Sequence, residues 1–179
     1  MIGGDVVSSF AERMIGAARL NVATYEEVES DRAATGQALA VVVMSSVAAG
    51  LGMSRNWNLS QTLVGAVAAL LGWFIWASLT YLIGAKLLPE PQTKSNIGEL
   101  LRTTGFSSSP GVLRLLGLVP ILGRLVWFAV AVWMLVAMVI AVRQALDYRS
   151  TGRAVGVCLI GWLVYVAVSL FLGDVAPVS

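Results

Sequence analysis

The chain has 179 residues, of which 58% are hydrophobic and only 12% charged, with a net charge of +2 and a mean hydropathy of +0.82. Those values lie far from soluble-domain usage and point to a membrane protein. Basic residues scattered singly over several turns argue against nucleic acid as a partner, and the single cysteine, Cys158, excludes an internal disulfide and a four-thiolate zinc site.

Residues 1–36 carry charges throughout, so no cleavable signal peptide with a basic start and a short apolar core is expected there. The stretch DVVSSFAERMIGAARL predicts an amphipathic helix with Val6, Phe10, Met14 and Ala17 on one side and Glu12, Arg13 and Arg19 elsewhere. Such a helix either rests at the headgroup boundary or packs across the ends of a bundle. Next, TYEE reads as a capping box with Thr24 as N-cap and Glu27 at the third helical position. The acids Glu26, Glu27 and Glu29 suit a helix start, but Asp31 comes too late for that role. Glu27 and Asp31 share a helix face, a like-charge arrangement costing about 0.2–0.5 kcal/mol unless a cation lies against them.

Four long apolar segments follow: Ala38 to Met53, Leu63 to Ala85, Leu125 to Val142, and Ala154 to Gly173. Each approaches the roughly 20 residues a helix needs to cross a bilayer. A fifth candidate, GVLRLLGLVPILG, is short and interrupted by Arg114, Gly117 and Pro120, and so reads as a bent or re-entrant third span shielded by protein. Five spans with an inside N-terminus place nine Lys and Arg residues inside against two outside, Arg55 and Arg124, with Arg114 just inside the cytoplasmic end of the third span. Four spans give eight against four, so the enrichment of basic residues in cytoplasmic loops selects five. The expected architecture is an all-α bundle of five transmembrane helices, with a cytoplasmic segment 1–36, a membrane domain 37–173 and an outer tail 174–179.

Small residues at Ser46 and Gly50, and at Gly65, Ala69 and Gly72, mark expected helix contacts. Trp73 and Trp76 lie mid-span and are expected to fill space between helices or to line a pore or lipid groove, while Trp57 suits an outer-surface anchor. No Asp, Glu, Lys or His occupies a span centre, which weighs against ion-coupled transport. Between the second and third spans, Pro89 and Pro91 stop one helix, and SNIGELLR predicts a short one capped by Ser95 or Asn96. GFSSSPG reads as the entrance turn of the third span. With no histidine in the chain, its serines do not form a catalytic cluster.

The last cytoplasmic loop, VRQALDYRSTGRA, lies on the same side as the acids under this topology. Two site readings follow. Glu27, Asp31 and Asp147 supply oxygen ligands for a divalent cation, or the acids pair with Arg143 or Arg149 and build, with Tyr25, Glu26, Gln144 and Tyr148, a polar cap that either receives a protein partner or is a purely structural network. No other cofactor is expected. Without histidine, a reactive-cysteine environment or a phosphate-cradling glycine motif, no catalytic residue is assigned.

Taken together, TYEEVESDRAATGQAL, GWFIWASLTYLIG, LLRTTGFSSSPGVLRLLG, VWMLVAMVIAVRQALDY and AVGVCLIGWL resemble the bacterial branch of the Yip domain family over about residues 20–173. These small five-span proteins are related to eukaryotic proteins that interact with Rab-type GTPases. The resemblance implies a multi-pass protein of the bacterial cytoplasmic membrane, with its N-terminus cytoplasmic and its C-terminus outside. It highlights Tyr25, Glu26, Glu27, Val28, Asp31, Gln37, Gly105, Phe106, Pro110, Gly111, Gln144, Asp147 and Tyr148; the DLxGP signature of eukaryotic relatives does not occur. The expected function is non-enzymatic: organising or regulating a partner through the cytoplasmic face. The alternative is a small channel, transporter or lipid-moving protein with a path between helices. Expected partners are membrane lipids, a membrane or cytoplasmic protein, and a second copy of the chain.

Overall fold

The computed structural model describes residues 8–53, 58–119 and 123–175, and over these it is all-helical. Val6, Trp57, Arg55, Pro120 and residues 176–179 of the expected tail lie outside the described residues. Helix α1 (Phe10–Ala18) opens on a capping box in which Ser9 Oγ accepts from Glu12 N at 3.3 Å and Glu12 accepts from Ser9 N at 2.7 Å. Leu20, with φ 61°, turns the chain at its end. Helix α2 (Val22–Ser30) starts at once, capped by Asn21, whose side chain accepts from Ala23 N at 3.0 Å.

The expected cap at Thr24 is therefore displaced by one helical turn. Asn21 reaches the first free N–H groups earlier, and Thr24 is buried inside the helix, against Gly16 of α1. A Cβ at Gly16 would overlap the Thr24 side chain, so this crossing requires glycine. Phe10, Met14 and Ala17 then pack with Tyr25, Val28, Ala38, Val41 and Phe106 in one hydrophobic cluster.

Helix α3 (Ala34–Met53) and helix α4 (Leu59–Tyr81), which widens into a π-helical segment at Leu82–Leu87, form the first hairpin. Helix α5 (Ile97–Phe106) is opened by the Asn96–Glu99 capping box, Asn96 being one of the two expected caps. A 3-10 helix (Ser109–Leu118) continues from it, followed by α6 (Gly123–Ala145) and α7 (Thr151–Val175). Among the described residues three helices are long and apolar enough to cross a membrane: Ala34–Gly52, Leu59–Leu87 and Gly123–Ala145.

The third apolar segment starts earlier than its composition suggests. Gly105 of α5 lies against Ala38, where an added Cβ would sit 2.7 Å from the alanine methyl; Gly111 packs on Ser45, and Gly52 on the backbone of Arg114. The chain thus rises parallel to α3 from within α5. At about 1.5 Å per α-helical residue and about 2.0 Å per 3-10 residue, α5 and the 3-10 helix together rise roughly 35 Å. GFSSSPG, expected as an entrance turn, is buried inside the bundle apart from the half-buried Ser108. The buried hydroxyls here are satisfied locally: Thr103 donates to Glu99 O at 3.0 Å, Ser107 to Thr104 O at 2.7 Å and Ser109 to Phe106 O at 2.7 Å.

Two further expectations change. Arg114, expected near the start of the third segment on the side of α1 and α2, packs by its backbone on Gly52 at the end of α3 remote from them. The small residues Gly50, Gly65 and Gly72 are not helix contacts, since a Cβ on any of them would meet nothing within 4 Å. Trp73 does fill space between helices, its Nε1 lying 3.2 Å from both Leu101 O and Thr104 Oγ1. Replacing Gly105 by Val should push α5 off α3 and cost about 1–3 kcal/mol, the usual penalty for overpacking. Thermal unfolding followed by size-exclusion chromatography should show a lower midpoint for this variant and none of that loss for Gly72→Ala.

Candidate functional site: a polar cap and its recess

At the α1–α2 end of the bundle, Arg13 is 1% exposed. It lies on the same stripe as Phe10, Met14 and Ala17, so α1 buries a guanidinium together with its apolar face. Its donors are answered from two other helices and the junction between them. Nε donates to Glu27 Oε1 at 3.0 Å, Nη1 to Gln37 Oε1 at 3.0 Å, and Nη2 lies 3.0 Å from Glu27 Oε1 and 2.8 Å from Asp31 Oδ2. Ser8 adds a donor to Glu27 at 2.9 Å. The like charges of Glu27 and Asp31 are thereby compensated. Asp31 also ends α2 and turns the chain into α3, its Oδ1 accepting from Ala33 N at 2.9 Å.

A second buried arginine holds the same C-terminal end of α2 from another side. Arg102, 5% exposed, reaches from α5 to the carbonyls of Val28 (2.9 Å) and Glu29, two of the acceptors that a helix C-terminus leaves free. Tyr25 donates to Ala17 O at 3.1 Å and is fully buried. Arg13 and Arg102 together lock α2 onto α1, α3 and α5.

Beside α2 lies an open recess of ≈ 960 Å³ whose walls come from α2, the Pro91–Lys94 connection, the start of α5 and the turn after α6. Glu26, Glu29, Glu99 and Asp147 line it, with Lys94, Arg143 and Arg149. Gln144 Nε2 donates to Glu26 at 3.1 Å, so the beginning of the chain and the Arg143–Arg153 turn meet at one end of the molecule. Burial pushes the Glu29 carboxyl up to about 7, and the charges of Asp147, Glu99 and Glu26 add to that shift against the opposing Arg102.

The three carboxylates considered as one cation site are divided. Glu27 and Asp31 sit on Arg13, while Asp147 accepts from Lys94 N at 3.1 Å and, through its carbonyl, from Gln92 at 3.0 Å. Among the described residues no group of three or more His, Cys, Asp or Glu side chains is placed to hold a metal ion. The acids pair with Arg13, not with Arg143 or Arg149. Arg143 donates to Tyr148 O at 3.2 Å, and the Arg149 N–H to Glu90 at 3.1 Å.

Tyr148 closes the π-helical end of α4, its hydroxyl shared between Gly84 O (2.8 Å) and Leu88 O (2.7 Å). Asp147 itself has φ 53°, a left-handed position after α6 that an aspartate tolerates better than most residues. Arg13, Arg102 and Glu90 were not among the sequence candidates. Arg13, expected off the apolar side of α1, lies on it instead, and its spacing from Phe10, Met14 and Ala17 was the one visible signal.

Removing the Arg13 charge should be costly. Breaking a buried ion pair costs about 3–5 kcal/mol, and Arg13→Gln belongs at the lower end because Glu27 and Asp31 keep some contact with water. The pH dependence has a definite sign. Burial works upward on Glu27, but the bonds from Ser8 and Arg13 outweigh it and hold its carboxyl below the ordinary value; for Asp31 the Arg13 bond is the largest lowering influence, followed by Ala33 N–H. Their stabilisation is complete above the ordinary carboxylate range and is lost as pH falls through the lowered folded-state values. Unfolding midpoints measured over that acid range should drop for the wild type and change less for Arg13→Gln.

The Yip1 domain family model matches residues 21–172. No curated protein and no solved structure matches the chain. The matched region runs from the Asn21 cap into α7 and takes in both sides of the recess, so the chain belongs to the Yip1 domain family.

Proposed function

We propose that this is a non-enzymatic, multi-pass protein of the bacterial inner membrane that organises or regulates a protein partner by receiving one of its Lys- or Arg-bearing segments in the cap recess. The carrying observation is the convergence of Glu26, Glu29, Glu99 and Asp147 on one open recess, where burial first and the neighbouring carboxylates second raise Glu29 to about 7. A cation entering there relieves the repulsion, so its binding free energy includes the recovery of an ionised Glu29.

The topology in this reading has five spans, with the cap and the Arg143–Arg153 turn in the cytoplasm and the C-terminus outside. The distribution of arginines and lysines supports it. So do the roughly 35 Å rise of α5 with the 3-10 helix and the contact of Gln144 with Glu26. A second reading, a path for a small solute or lipid between helices, draws on the groove lined by Gly65, Ala69, Gly72 and Trp76.

Two measurements test the cap reading. Infrared difference spectra of wild type against Glu29→Gln should show one carboxyl titrating near 7, above its ordinary value, with the folded state losing stability as pH rises through that range; a carboxyl already ionised well below it would contradict the picture. A photo-crosslinking residue at position 92 in intact cells should give one discrete protein adduct that Glu26→Lys and Glu99→Lys abolish. An absent adduct, or one indifferent to these charge reversals, would count against the recess as a docking site.

A further inference from the structure

We propose that the groove between the α3–α4 hairpin and α6–α7 is a binding site for one anionic phospholipid in the leaflet remote from the cap, with its phosphate on Arg114. The inference names a ligand for the groove of the second reading and does not require that the lipid cross the membrane.

The groove has a volume of ≈ 670 Å³, and Arg114 is the charged side chain among the residues lining it. The Arg114 backbone packs on Gly52, near the end of α3 farthest from Arg13. The guanidinium is therefore at the edge of the apolar layer, where a lipid phosphate lies within reach of a long side chain. Its carbon Cζ sits 4.5 Å from the centroid of the Trp127 ring. That stacking covers the face of the guanidinium and leaves its Nη groups to meet an acceptor in the plane.

Among the described residues Arg114 Nε is buried and has no hydrogen-bond partner, so the guanidinium is not fully answered by the protein. In the apolar layer no water is available to complete it. A phosphate supplies oxygen acceptors of the opposite charge, and arginine binds phosphate through paired N–H donors.

The apolar part of the groove matches one acyl chain in length. From Gly65 to Trp76 along α4 the wall runs roughly 16 Å at about 1.5 Å per residue, about half of the ~30 Å hydrocarbon core. A Cβ added at Gly65 or Gly72 would meet nothing within 4 Å, so this wall faces unfilled space. A chain lying there beside Trp76 supplies the packing that no protein side chain provides.

The test uses the full-length protein in nanodiscs of equal parts phosphatidylcholine and phosphatidylglycerol, with the lipid retained on release read by native mass spectrometry. The wild type should keep one phosphatidylglycerol in preference to phosphatidylcholine by about tenfold. Arg114→Gln should keep a lipid but bring that preference to parity, and Arg114→Lys should fall between. The pair Gly65→Leu and Gly72→Leu, built into open space and so compatible with folding, should lose the retained lipid altogether. Equal retention of the two lipids by the wild type, or no retained lipid, would overturn the proposal. So would a preference that survives Arg114→Gln, or retention unaffected by filling the groove. None of these results bears on the cap recess, which is tested by its own charge reversals.

Discussion

A guanidinium cannot be withdrawn from water in one helix unless other elements surround it with acceptors, and Arg13 imposes that requirement on the beginning of this chain. Its acceptors come from α2, from the α2–α3 junction and from the first turn of α3. Satisfying it fixes three elements relative to one another. The close crossing of Gly16 with Thr24 and the burial of Tyr25 follow from the same placement, and Arg102 completes it by drawing the last carbonyls of α2 onto α5. The cap is consequently one body with the bundle, and the recess beside it inherits a defined shape.

Helix α3 links the cap to the apolar layer. It begins at the Arg13 cluster, and along its length α5 and the 3-10 helix approach so closely that Gly105, Gly111 and Gly52 mark the points of contact. Local hydroxyl bonds of Thr103, Thr104, Ser107 and Ser109 allow a polar-looking sequence to occupy this position, because each of these buried donors is satisfied within its own turn. With the third segment drawn against α3 and α6, the small-residue wall of α4 is left without a covering helix, and the groove results. The two candidate sites thus occupy opposite ends of the same packing arrangement, one acidic and aqueous, the other apolar with a single arginine.

Much of the helical layout could be read in the sequence, because long uncharged runs and cap residues are local signals. The Asn96 cap, the helix stop before Pro89 and the long apolar helices needed no tertiary information. What depended on partners distant in sequence was harder to see. Thr24 satisfies the capping-box pattern, but Asn21 precedes it and wins the position. Gly65 and Gly72 have the spacing of packing residues, yet spacing does not say whether a neighbour arrives. The acids Glu27 and Asp31 did signal a missing cation; that it is Arg13 depends on a turn made by Leu20 in a conformation rare for leucine.

Membership in the Yip1 domain family accords with a helical membrane protein and leaves the chemistry to the sites themselves. The central claim is that α1 and α2 are integral to the fold and not a tethered surface segment. Amide hydrogen exchange of the lipid-embedded protein tests it most directly. The account predicts that the amides of α2 are protected to the same degree as those of α5 and open together with them; exchange in α2 that is orders of magnitude faster than in α5 would contradict it.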